Sequence, residues 1–210
     1  EVSEELKQDQ LIKTWKKYSK LIISCLFIII ISIISYQAYI SWSKKKKEAI
    51  SEEYLNALEK LENKNYSISK NIFLKNIENN KSGYRMLSLF GLAESNYKDG
   101  KIDKMILNYK TIYDDESIDI YYRNLSRILS VIKDDSSSFD QKKLLLDPIL
   151  NSPSKLQLLA AELEVILLFN FNKVREAKKA LNILLKRPDI SFEQKNRLVL
   201  INKIYKNDVQ

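Results

Sequence analysis

From Ser43 onward the apolar positions of this chain recur every three to four residues, the period of an amphipathic helix, and short polar turns interrupt them at intervals. The interruptions predict four antiparallel helix pairs and a closing helix. The first pair covers about Lys46 to Glu62, with Tyr54, Leu58 and Leu61 on one face, and Ser67 to Asn79, with Ile68, Ile72 and Ile77 on another. The second runs from Tyr84 to Tyr97, turns through Lys98, Asp99 and Gly100, and returns over Lys101 to Asp115. Gly100 supplies the permissive backbone such a turn needs.

The third pair spans about Ile118 to Lys133, a turn over Asp134 to Ser138, and a return over Asp140 to Leu150 that Pro148 should shorten or kink. The fourth begins at Pro153-Ser154, where Ser154 and Gln157 have the spacing of a capping box, and LQLLAAELEVILLF is apolar enough to form the centre of the core. Its partner, Val174 to Lys186, stops before Arg187-Pro188. Ser191 and Gln194 have the capping-box spacing again, opening a last helix through Leu198, Ile201 and Tyr205 that would shield the end of the array.

Before Ser43 the pattern changes. Leu21 to Ile40 reads LIISCLFIIIISIISYQAYI without a charge, long enough as a helix to cross a hydrocarbon core of about 30 Å. Trp15, Tyr18, Tyr39 and Trp42 stand where interfacial aromatic belts are expected, and Lys44, Lys45, Lys46 and Lys47 follow them. A cleaved signal is disfavoured by the length of the apolar run and by the lack of a small-x-small site after it. Ser24, Ser32 and Ser35 fall roughly on one face, and bonding of each hydroxyl to its own i−4 carbonyl is the expected role. The domains are therefore a tail over 1–20, a transmembrane helix over 21–42 and a helical domain over 43–210, the first helix continuing directly out of the span. The lysines nearly tie across it, with five before and four after, so charge alone leaves the orientation open.

Composition agrees with an all-α fold, because Gly 3 and Pro 3 leave little hairpin vocabulary. Of the formal charge of +8, four units lie in Lys44 to Lys47, and no later run interleaves basic residues with aromatics, so no nucleic-acid partner is expected. The chain has no histidine, its single cysteine, Cys25, is inside the apolar segment, and it lacks a phosphate-binding Gly-rich loop and metal-ligand spacing. The acidic groups at Asp114 to Glu116 and at Asp134-Asp135 fall at turns, where capping and hydration explain them. The expectation is no enzyme, no cofactor and no metal.

Ala93, Gly100, Met105, Tyr109 and Ile112 fall at the spacing of a tetratricopeptide repeat, and Asn172, Ala177, Leu181 and Leu184 resemble its second half. Met105 and Ile112 replace the usual alanines. The whole order, with tail, span, lysine cluster, YLNAL helix, SGYRMLSLFGLAESNYKDGKIDKMI block and terminal AELEVILLFNFNKVREAKKAL block, resembles the bacterial YfgM family of ancillary Sec-translocon subunits. That resemblance implies a bacterial inner-membrane protein, single-pass, with a cytoplasmic N-terminus and a periplasmic repeat domain. It implies as partners the SecYEG translocon, the membrane chaperone PpiD, and unfolded secretory or envelope proteins, beside the lipid bilayer.

The fold class expected is thus all-α: one N-terminal transmembrane helix, then a TPR-like helical-hairpin solenoid with a C-terminal capping helix. The function expected is a membrane-anchored protein-interaction or chaperone module; the alternative is a scaffold or adaptor for assembling an envelope or respiratory complex. Tyr97, Tyr109, Tyr113, Tyr121, Tyr122, Phe169 and Phe171 are the candidate contact aromatics, although at helical spacing each is more often core.

Overall fold

A computed structural model describes residues 2–79 and 83–207. The side chains of Lys7, Lys13, Leu21, Ile22, Ile23 and Leu26, part of the tail and span read from the sequence, lie outside the described set. The chain divides into two compact units, Glu1–Glu52 and Glu53–Gln210.

The first unit is helical. α1 (Val2–Glu62) runs through it without a break, as expected from the absence of any helix-breaking residue between Trp42 and Glu48. Phe27 to Ile31, Ile33 and Ile34 are each more than half exposed. Because these residues are almost consecutive, the apolar surface covers the whole circumference, which water does not tolerate and hydrocarbon does. From Phe27 the helix is long and apolar enough to cross a membrane, with a mean hydropathy of 1.2. Ser32 Oγ donates to the Ile28 carbonyl at 2.8 Å, the inward i−4 bond expected for it.

The second unit contains the end of α1, followed by α2 (Tyr66–Asn79), α3 (Gly83–Lys98), α4 (Ile102–Asp114), α5 (Ile120–Lys133), α6 (Phe139–Leu150), α7 (Gln157–Asn170), α8 (Val174–Leu185) and α9 (Phe192–Asn207). From α2 onward each helix packs on its successor in the chain, and α9 also returns to α7; the end of α1 meets α2 where Ala57 and Leu61 cluster with Phe73. No strand occurs among the described residues. The core is a succession of clusters along the chain, with Ile77 shared by the first two and Leu129 packed on the second beside the third, the largest, which runs from Ile128 and Val131 of α5 to Leu198 of α9. That arrangement characterises a solenoid.

The repeat shows itself in the turns. Lys64, Gly100 and Asn172 are left-handed, with φ of 61°, 72° and 59°. After each, the next N–H bonds the carbonyl five residues back: Asn65 to Lys60, Lys101 to Asn96 and Lys173 to Leu168, all at 2.8 Å. This is the Schellman closure, repeated at a spacing of 36 residues and then twice 36. The second helix of each hairpin then buries three residues at i, i+4 and i+7: Ser69, Phe73 and Asn76; Met105, Tyr109 and Ile112; Lys142, Leu146 and Ile149; Ala177, Leu181 and Leu184.

The third hairpin closes differently. The Asp134 carboxylate accepts from Ser136 N at 2.8 Å, Ser136 Oγ at 2.7 Å and Ser137 N at 3.2 Å. Ser138 and Gln141 then form a reciprocal capping box at the start of α6. The Ser191 and Gln194 box forms as expected, at 3.0 and 3.2 Å. The one expected from Ser154 and Gln157 does not: Ser154 Oγ accepts from Leu156 N at 3.2 Å, Gln157 Nε2 reaches back to the Leu150 carbonyl at 2.8 Å, and α7 starts at Gln157. Pro148 lies within α6, which has 12 residues.

Candidate protein-interaction surfaces

The seven aromatics expected to supply contact surface separate by burial. Tyr109 and Phe169 are only 1% and 4% exposed, so these two belong to the core and offer no contact area. The reason is register. Tyr109 sits between Met105 and Ile112 on the inward stripe of α4, and burial, with Glu94 and Tyr97 adding to it, pushes its phenol pKa up. Phe169 stacks on Tyr205 of α9, with centroids 4.5 Å apart.

The other five reach the surface in separate places. Tyr97 has the Lys133 ammonium over its ring at 4.1 Å, and the same ammonium pairs with Glu94 at 2.6 Å. Two successive hairpins are tied there by one lysine. Tyr113 is half-buried beneath the Arg127 guanidinium, 4.9 Å from its ring, and its carbonyl accepts from Arg123 Nε at 3.2 Å. Burial raises its phenol pKa, which Lys110 opposes. Tyr121 and Tyr122 meet edge to face at 5.4 Å. Phe171 lies against Phe139, 5.8 Å away.

Two concavities open on this unit, one of them lined by Tyr121. The larger, about 750 Å³, lies between the start of α5 and the loop before α7, and is lined by Ile120, Tyr121, Asn124, Pro153 and Lys155. Ile120, Tyr121 and Tyr122 make an exposed apolar cluster at its edge, held by the Asp119 carboxylate, which caps α5 through Tyr121 N at 2.8 Å. The smaller, about 360 Å³, lies between α5, α6 and α7; Ile132, Leu159, Leu163 and Ile166 form its apolar walls and Lys142 one side. Lys142 is 7% exposed, and its ammonium donates to the Val131 carbonyl at 3.3 Å. On the other side Glu162 is gripped by Arg197 of α9 through two bonds of 2.9 and 2.8 Å.

Neither concavity was located from the sequence. The apolar run of α7 was expected to be the centre of the core, and much of it is, but Leu159 remains 39% exposed on the groove side. A helix apolar around most of its circumference does not announce which stripe stays open. These walls pair apolar patches with polar rims, which suits an extended or helical polypeptide.

In the first unit Trp15, Tyr18, Tyr39 and Trp42 are all exposed, as are Lys44, Lys45, Lys46 and Lys47. Lys17 lies over the Tyr18 ring at 5.3 Å and Lys46 over the Trp42 ring at 5.5 Å. Such pairs place an aromatic body beside a cation at either end of the apolar stretch.

A family model described as a tetratricopeptide repeat-like domain matches residues 13–195. No curated protein and no solved structure matches the chain.

Proposed function

The chain belongs to the tetratricopeptide repeat-like domain family, and from that premise we propose that it is a membrane-anchored protein-interaction module serving secretory traffic. The helix rich in exposed isoleucine holds the repeats at a bilayer, bacterial inner membrane by resemblance, with the N-terminus cytoplasmic and the repeats periplasmic. Anchoring raises the effective concentration of a weak binding surface beside the translocation channel. The grooves between hairpins then hold emerging secretory or envelope chains, or a PpiD-like chaperone, through distributed contacts that need no bond-making chemistry.

The observation that carries this reading is the pairing of a helix with apolar residues exposed all round it, Phe27 to Ile34, with a repeat unit that keeps Ile120, Tyr121, Ile132 and Leu159 open at concave places. Crosslinking of the full chain in its native membrane tests it. SecYEG subunits among the adducts are the expected outcome, and repeated recovery of adducts without any channel subunit contradicts it.

A further inference from the structure

The first helices of successive hairpins begin at Gly83, Ile120 and Gln157, and Phe192 of α9 continues the series at spacings of 37, 37 and 35 residues. α9 therefore stands in the register of a fifth first helix. α3, α5 and α7 are each packed against a second helix, respectively α4, α6 and α8. Among the described residues no helix follows α9.

Its two faces match that position. Leu198, Ile201 and Tyr205 point inward, at i, i+3 and i+7, and join the core. On the outer side Phe192, Val199, Leu200 and Ile204 are 74%, 53%, 57% and 49% exposed. The terminal helix of a solenoid ordinarily shows water a polar face, and four large apolar side chains on one 16-residue helix depart from that rule. The neighbourhood is also basic: from Lys173 to Lys206 ten Lys and Arg stand against three Asp and Glu. The acidic residues of the earlier hairpins offset this concentration in the chain's total charge. Lys195 and Lys203 are exposed beside the apolar group, Glu193 is the one acidic residue of α9, and Arg197 is engaged inward by Glu162.

We propose that the outer face of α9 is a docking site for an amphipathic, acidic helix of a partner protein, which would lie on α9 as a second helix lies on the first in each earlier hairpin. The charge pattern decides the occupant. A second copy across a two-fold axis would set Lys195 and Lys203 against their own kind with only Glu193 to relieve them. A helix with leucines at a spacing of three and four and carboxylates on its flanks meets both the apolar patch and the lysines. Lysine–carboxylate pairs already join neighbouring elements in this way: Lys70 with Asp99 at 2.5 Å, Lys133 with Glu94 at 2.6 Å and Lys143 with Glu164 at 3.9 Å. The site stands apart from the grooves and does not depend on the secretory reading.

The test uses the full chain in nanodiscs of phosphatidylcholine, without and with added phosphatidylglycerol, and two fluorescent synthetic helices of about 18 residues, one with leucines and flanking glutamates, the other with lysines for the glutamates. The glutamate helix should bind about tenfold or more tightly than its twin. Leu200→Asp, on an exposed position that leaves the fold intact, should abolish most of that binding. Lys195→Glu with Lys203→Glu should reverse the preference. Equal binding of both helices, indifference to Leu200→Asp, a doubling of the chain's mass that Leu200→Asp cancels, or occupation of the face by phosphatidylglycerol in the nanodisc would each overturn the proposal.

Discussion

The second and third hairpins bury the same three positions with different means. In α3 and α4 the turn is closed by Gly100 at φ 72°, and Met105, Tyr109 and Ile112 fill the inward stripe. Between α5 and α6 the turn is longer, five residues from Asp134 to Ser138 against three from Asp99 to Lys101. Asp134 replaces the left-handed residue, and a lysine occupies the place of Met105. α5 and α6 touch along a shorter stretch than α3 and α4 do, and the 360 Å³ groove opens beside them. A repeat can thus keep its core while its turn and one inward residue change, and the altered hairpin is where concave surface appears.

The largest effects separate the two by packing. Ile112→Ala and Ile149→Ala, both at positions with 0% exposure, should each cost about 2–5 kcal/mol. The loss should be smaller for Ile149, because α6 beside the groove can relax into the vacated space. Denaturant melts of both variants check this, and equal losses would remove the distinction between the hairpins.

The turns come next. Gly100→Ala places a Cβ in open space at a left-handed φ, so the cost is conformational, about 1 kcal/mol. Asp134→Ala strands the Ser136 and Ser137 amides and should cost about 1–2 kcal/mol. At Asn172, where φ is 59°, replacement by glycine should stabilise by a few tenths to about 1 kcal/mol. Thermal melts of the three variants would show opposite signs for the glycine removed and the glycine introduced.

Lys142→Met installs the residue that stands at the equivalent position of the second hairpin. Removing a buried ammonium whose hydrogen bond is 3.3 Å long should raise stability by about 1 kcal/mol. A loss of stability instead would show that Lys142 has found better solvation than its burial indicates.

The smallest effect is electrostatic. Hydrogen bonds from Lys101 and then Lys70 hold the Asp99 carboxyl down at about 2. A depressed folded-state pKa contributes stability above the unfolded value, near 4, and that contribution is lost as pH falls toward 2. Asp99→Asn should therefore flatten the decline in Tm between about pH 4 and pH 2. An unchanged acid limb would remove Asp99 from the account.

Much of this was legible in the sequence because helix ends carry chemistry. Asp99-Gly100 marked its turn, Arg187-Pro188 ended α8 near Leu185, and Ser191 with Gln194 opened α9. The limits are physical as well. Ser138 and Gln141 have the same spacing and do form a box, whereas Ser154 and Gln157 do not, because Ser154 bonds Leu156 N and the helix begins later. The repeat period was hidden because two of its left-handed positions are Lys64 and Asn172 and a third turn has none. Helical spacing places aromatics on faces without saying which face is inward, so the sequence does not separate the buried Tyr109 and Phe169 from the more exposed Tyr97 and Phe171. A groove arises from the gap between helices, which no single helix encodes.

The most direct test of an anchored interaction platform is site-specific photocrosslinking of the full chain in its membrane. The crosslinker is placed at Leu159 on the groove and, for comparison, at Leu144, which is 71% exposed on α6. Polypeptide adducts from Leu159 that increase with secretory load, against few from Leu144, are the predicted result. No polypeptide adduct from Leu159, or equal yields from the two positions, would contradict it.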